Sequence, residues 1–198
     1  MKKPAKNNKS SRPLYETKRI QIEEAILSDS KFILELLNSP GWIEFIGDRG
    51  IKSESDAKNY IQTVLINSYE KNNFGLFKMI LKAENKPIGV CGFIKRDFLE
   101  HADIGFALLP EYEGKGYAFE AATETMNFGK TNLQLNTILA ITTPENIKSK
   151  NLLIKIGLRE IGTIHPDIYD IDLLLFSNEY NQLKNHIKIN NKNKSYTA

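Results

Sequence analysis

Residues 102–131 constrain the fold more than any other stretch of the chain. An apolar run, ADIGFALL (102–109), is followed by PEYEGKG and then by YAFEAATETMNFGK (117–130), whose composition and apolar spacing are helical. The next apolar run, NTILAITT (136–143), reads as another strand. A strand that enters a helix through a Gly-Lys-Gly turn and returns as a strand is a crossover unit, which an all-helical or purely hairpin-connected fold does not contain.

The flanking segments extend this unit on both sides. YETKRIQIE (15–23) alternates as a strand, and DSKFILELLN (29–38) has apolar residues at helical spacing behind Asp29, a candidate cap. WIEFIGDRGI after Pro40-Gly41 has no clean period and reads as a loop with short helical turns. Ser53-Glu54-Ser55-Asp56 is a capping-box pattern ahead of the helical run DAKNYIQTVLINSYEKN. FGLFKMIL and PIGVCGFI, joined by KAENK, form a hairpin, with Gly92 and Gly105 marking bulges or close backbone approach. Thr143-Pro144 reads as the N-cap and first residue of a helix that continues from Asn146 to Ile156 and stops at Gly157. LREIGTI and IYDIDLLLF supply two further strands, and SNEYNQLKNHI a short helix. The fold class is therefore α+β: one domain with a mixed central sheet of six or seven strands flanked by helices.

Charge divides the chain into a core and two tails. Residues 1–13 carry Lys2, Lys3, Lys6, Lys9 and Arg12, and residues 184–198 carry Lys184, Lys188, Lys192 and Lys194, with no acid in either segment. Setting those nine aside from 27 Lys and Arg leaves 18 against 24 Asp and Glu, so residues 14–183 hold a net charge of −6 while the whole chain is +3. The tails are too poor in apolar residues to offset their ordering entropy and are expected to be mobile. Nucleic-acid binding through them is disfavoured, because no aromatic or groove-reading pattern accompanies the lysines. No segment has the roughly 18–20 apolar residues of a membrane span, and the expected location is the cytoplasm. Cys91, the single cysteine, sits in an apolar run and reads as a buried, inert thiol.

The Gly-Lys-Gly turn has a chemical consequence. The first N–H groups of a helix are unpaired and carry the positive end of its dipole, and glycines let backbone approach an anion closely. Gly114 and Gly116 would shape such a phosphate cradle, with Lys115 adding charge. It is neither of two common phosphate motifs: a P-loop needs Ser or Thr where Gly116 stands, and a dinucleotide fingerprint needs Gly where Phe119 stands.

Glu113-Gly114-Lys115-Gly116-Tyr117-Ala118 resembles the pyrophosphate loop of the GNAT N-acetyltransferases, with Glu111 at the first position where many members have Gln or Arg. YETKRIQIEEA, ADIGFALLPEYEGKGYAFEAA and TTPENIKSKNLLIKIGLREIG are similar to the opening strand, the cofactor unit and the Asn-x-x-Ser helix of the ribosomal-protein-alanine-acetyltransferase-like (RimJ/RimL-type) subgroup. The likeness spans residues 15–176. It implies a V-shaped splay between the fourth and fifth strands, ADIGFALL and NTILAITT, with acetyl-CoA in the gap and no metal. Phe106, Ala107 and Leu108 would pair with the pantetheine arm, Glu113 to Ala118 would receive the pyrophosphate, and Asn146 would hydrogen-bond the pantetheine.

The implied reaction is direct transfer of acetyl from the thioester to a primary amine, of a protein N-terminus or a small molecule. The family's thiolate-protonating Tyr falls on Leu153, and the Phe that follows it falls on Leu158, so the tyrosine mechanism is lost. Ser149 is the replacement that the subgroup suggests. Asp103 is the candidate base, alternation placing it with Gly105 and Ala107 on one strand face; His101, Tyr169 and Asp170 are weaker options. Trp42, Phe45 and Arg49 fall in the region that resembles the acceptor-shaping loop. The lost tyrosine leaves a second reading, a non-catalytic acyl-CoA-binding module on the same fold, and the chain is expected as a monomer or homodimer.

Overall fold

The computed structural model describes residues 13–169 and 171–180. The basic tails, apart from Pro13, and most of the helix expected in SNEYNQLKNHI lie outside the described residues, as does Asp170.

Among the described residues eight strands make one sheet: β1 (Tyr15–Glu16), β2 (Ile20–Glu23), β3 (Leu76–Leu81), β4 (Lys86–Ile94), β5 (Asp103–Leu108), β6 (Leu139–Thr142), β7 (Arg159–Ile164) and β8 (Leu173–Ser177). Their order is β1-β2-β3-β4-β5-β6-β8-β7. Every neighbouring pair is antiparallel except β5 and β6, which the crossover helix α5 (Tyr117–Thr131) makes parallel. The sheet has one strand more than the upper expectation because YETKRIQIE does not run straight. The Thr17 hydroxyl accepts from Ile20 N at 3.0 Å while Thr17 N donates to Ile20 O at 2.8 Å, a tight turn that folds the segment into two paired strands.

Before the sheet's centre, the chain forms α1 (Ser30–Leu37), α2 (Pro40–Phe45), α3 (Glu54–Tyr60) and α4 (Asn67–Asn72), the last two joined by a π-helical segment, Ile61–Ile66. Ser53 and Asp56 form the expected capping box of α3. Asp29 does not cap α1 with its side chain: its carboxylate accepts from Ile26 N at 2.8 Å and pairs with the buried Lys78 at 2.8 Å. A buried ammonium demands a partner more strongly than one helix amide does.

The last helix of the described residues, α6 (Ile147–Lys155), starts later than expected. Asn146 N donates to Thr143 O at 3.2 Å, so Thr143 and Pro144 form a turn, and Asn146 becomes the cap, its Oδ1 accepting from Ser149 N at 3.0 Å. The helix ends as expected at Gly157, whose φ of +95° suits glycine.

Large apolar side chains from the sheet and helices, Phe93, Ile33, Leu36, Ile61 and Phe176 among them, are fully or almost fully buried in one main core. Each contributes roughly 1.5–3 kcal/mol by burial. Gly92 marks a close approach as expected, since a Cβ there would lie 2.0 Å from Gly75 O. Gly105 does not mark a bulge, because the β4–β5 ladder passes through the Gly92–Gly105 pair unbroken; the sheet's irregularity lies instead at Met79/Ile80 and Glu160/Gly162. Cys91 is buried against Thr125 Oγ1 at 3.2 Å, and burial pushes its thiol up to about 12, which keeps it protonated and inert.

Candidate active site

The parallel contact between β5 and β6 consists of one register pair, Asp103 with Leu139, closed by Leu139 N donating to Ala102 O at 3.0 Å. Past that point the strands part, and a cleft of about 2800 Å³ opens between them. Gly105 to Leu108 line one wall, and Ile141, Thr142, Asn146 and Ser149 the other. β5 keeps its ladder to β4 on the far side, so its cleft-side edge is available to an extended ligand in the manner of an added strand. The volume exceeds the roughly 300–1,000 Å³ of an ordinary small-ligand pocket and leaves room for two substrates.

At the end of β5 the chain makes a 3-10 turn, Pro110–Tyr112, and enters the glycine turn. Gly114 has φ +73° and Gly116 φ +80°, so both occupy the left-handed region that a side chain would strain. Gly116 is the N-cap of α5 and supplies no side-chain cap, and the first intrahelical bond runs from Glu120 N to Gly116 O. The amides of Tyr117, Ala118 and Phe119 are therefore left without helical acceptors. That is the donor set of an anion site, and Tyr117 and Ala118 line the cleft.

Arg19, which sequence reasoning did not single out, braces this turn. Its Nη1 donates to Lys115 O at 3.1 Å, its Nε to Glu120 at 2.6 Å, and its guanidinium lies 4.5 Å from the centre of the Tyr117 ring. Thr17 Oγ1 also donates to Glu120, at 2.6 Å. Burial raises the Glu120 carboxyl, but the hydrogen bonds from Thr17 and Arg19 outweigh it and hold the group below its ordinary range. The sequence offered no signal for this brace, whose partners are about a hundred residues apart. Lys115 itself stands 5.4 Å over the Tyr112 ring, and Glu113 pairs with Lys148 of α6 at 2.7 Å, joining the turn to the opposite wall.

On α6, Asn146 and Ser149 both line the cleft and are tied to each other through the cap bond. The Ser149 hydroxyl is half-buried and has no hydrogen-bond partner among the described residues. Leu153, at the position of the lost tyrosine, is buried and lines the same wall.

Asp103 is at the closed end, only 1% exposed, with Arg96 Nε 3.0 and 3.1 Å from its two oxygens. Burial raises its carboxyl above the usual carboxylate range, and the Arg96 guanidinium pulls it back. Arg96 Nη1 in turn donates to Tyr169 Oη at 3.2 Å, and Tyr169 packs edge-on against Phe98. These contacts fasten the β7–β8 connection (165–172) to the β4–β5 connection (95–102) across the cleft. His101 is on the same lining, as are Trp42, Phe45 and Arg49, of which Trp42 is buried and its Nε1 has no partner among the described residues. No group of three or more His, Cys, Asp or Glu among the described residues could hold a metal ion. Among the described residues no helix is long and apolar enough to cross a membrane.

Known proteins resemble this chain over most of its length. Residues 19–159 match the family described as the acetyltransferase (GNAT) domain. The chain is 35% identical over 147 residues to the uncharacterized N-acetyltransferase YnaD of Bacillus subtilis, covering 74% of this chain and 82% of the relative. It is 28% identical to the ribosomal protein uS5-alanine N-acetyltransferase of Escherichia coli, over 59% of this chain and 58% of that one. RimL, an alpha-N-protein acetyltransferase solved in complex with coenzyme A, superposes with a TM-score of 0.73 at 13% identity, over 84% of this chain and 97% of that one, which shows a shared fold. The chain belongs to the acetyltransferase (GNAT) domain family and is an acetyl-CoA-dependent N-acetyltransferase.

Proposed function

We propose that acetyl-CoA lies with its pantetheine arm along the free edge of β5 at Phe106, Ala107 and Leu108, and its pyrophosphate on the turn from Glu113 to Ala118. The observation that carries this placement is the single register pair of β5 and β6, which leaves a strand edge open directly upstream of an uncapped helix. The residues fit the group: two glycines at positive φ keep Cβ atoms out of the cradle, and the first amides of α5 have no other acceptor. Lys115 and Lys148 supply positive charge nearby, Lys148 by leaving Glu113 for phosphate.

Bound acetyl-CoA supplies an acetyl group activated as a thioester. The protein's task is chiefly to hold that group beside an amine, and acid–base assistance adds roughly 10²- to 10⁴-fold. Asn146 spends its Oδ1 on the helix cap, so its amide NH₂ is the part that turns to the pantetheine. Ser149 donates its unpaired hydroxyl to the sulfur as the C–S bond breaks. Asp103, buried and paired with Arg96, fixes the closed end and keeps Arg96 on Tyr169.

The acceptor is a primary amine, and two observations favour the N-terminus of a polypeptide over a polyamine. Ile46, Val64, Ile168 and Ile171 line the cleft and are 36%, 45%, 70% and 48% exposed, an apolar rim suited to side chains and wasted on a polycation. The likeness to an enzyme named for a ribosomal-protein alanine points the same way. Thiol release from acetyl-CoA, followed over N-terminal peptides, amino acids, polyamines and aminoglycosides, tests this. Release with peptides bearing apolar first residues is expected; release with polyamines alone overturns the acceptor assignment.

A further inference from the structure

We infer that His165, held by Asp172, is the group that takes the proton from the acceptor amine. The two residues face each other where the β7–β8 ladder ends: Ile164 pairs with Leu173, so His165 and Asp172 occupy the next opposing positions. His165 Nδ1 lies 2.9 Å from Asp172 Oδ1. An ionised carboxylate only accepts hydrogen bonds, so a neutral imidazole there must carry its proton on Nδ1 and leave Nε2 bare. His165 lines the cleft, and Nε2 has no partner among the described residues.

The other candidates for this task are less available. Asp103 is enclosed and both its oxygens face Arg96. His101 also lines the cleft, but among the described residues no carboxylate is bonded to it. The connection carrying His165 is held in place: Tyr169 N donates to Pro166 O at 2.9 Å, and Tyr169 Oη accepts from Arg96. The charged and titratable groups facing this end of the cleft are Asp167 and Tyr169 on the same connection and Lys95, Arg96, Asp97, Glu100 and His101 on the opposite one; Asp170 lies outside the described residues.

In the step itself the amine nitrogen attacks the thioester carbonyl carbon, and its surplus proton passes to Nε2, directly or through one water. The C–S electron pair leaves on sulfur, Ser149 donating a hydrogen bond to it. The thiolate then receives a proton from solvent, and the imidazolium returns its own, giving one amide and one thiol. Asp172 stabilises the imidazolium while it exists and is a positioning residue.

This inference rests on the proposed acetyl transfer to an amine, and the tests separate the two. Nitrogen-15 spectra of the free protein should show His165 in the Nδ1–H tautomer, and Asp172→Asn should shift population to Nε2–H; an Nε2–H tautomer in the wild type overturns the assignment. His165→Gln should lower kcat/KM about 10²-fold, with acetyl-CoA affinity unchanged. Asp172→Asn should cost about tenfold, and His101→Gln should leave the rate within about twofold. Wild-type rate in His165→Gln, with acetyl-CoA still bound and turned over, overturns this role alone, whereas failure to bind acetyl-CoA at all overturns the reading beneath it.

Discussion

The two ends of the cleft are built by different means. At the mouth, the site is made of backbone: two positive-φ glycines, a helix start without a cap and an unpaired strand edge, all within residues 103–120. At the closed end it is made of side-chain pairs, Asp103 with Arg96 and His165 with Asp172, and the bond from Arg96 to Tyr169 joins two connections across the cleft. Backbone geometry tolerates almost any neighbouring side chains but not a changed glycine. A side-chain network admits many sequences. On the proposed placement of acetyl-CoA, the donor end can stay the same while the acceptor end varies.

The comparison breaks if the acceptor-end network proves dispensable. Arg96→Met leaves a carboxylate 1% exposed without its counter-ion and should destabilise the fold by about 3–5 kcal/mol, read from denaturant unfolding. Burial already holds Asp103 above its unfolded pKa, and losing Arg96 raises it further. A raised carboxyl contributes stability that is complete below the unfolded pKa and is lost as pH climbs through the folded one. The deficit should therefore be smallest in acid and grow toward neutral pH; a deficit that instead grows toward acid would remove Asp103 from the explanation.

At the donor end, Gly116→Val should weaken acetyl-CoA binding about 100-fold by calorimetry, because valine resists φ +80° and its Cβ would stand 3.4 Å from Arg19 Nη2. Unchanged affinity would show that the glycines serve only the turn. Ser149→Ala should lower turnover about tenfold with little change in affinity; equal losses in both would make Ser149 a binding residue. The smallest effect belongs to Lys148→Ala: the Glu113–Lys148 pair is largely exposed, so thermal stability should not change measurably, and acetyl-CoA affinity should fall only about two- to fivefold. A large loss of stability would mean that this contact clamps the two walls.

What could be read in the sequence follows the same division. The strand, glycine turn and helix of 102–131 were legible because their signals are local: apolar runs, helical spacing and two glycines. Ser53-Glu54-Ser55-Asp56 and Gly157 were legible for the same reason. Thr143-Pro144 misled because a proline satisfies the second position of a turn as well as the first of a helix, and the better cap, Asn146, stood two residues on. YETKRIQIE alternates as one strand, and only the Thr17 turn divides it. The sequence marked Asp103, but nothing in it pointed to Arg96 or to the link to Tyr169, 73 residues farther along the chain. His165 and Asp172, seven residues apart, become partners only through the hairpin register that Ile164 and Leu173 establish.

The central claim is that backbone at the mouth of the cleft receives acetyl-CoA. Titrating acetyl-CoA into nitrogen-15-labelled protein tests it most directly. One-to-one binding is expected, with the largest amide shifts at Gly114 to Phe119 and at Phe106 to Leu108. Binding that leaves those amides unmoved, or shifts concentrated elsewhere on the surface, would contradict it.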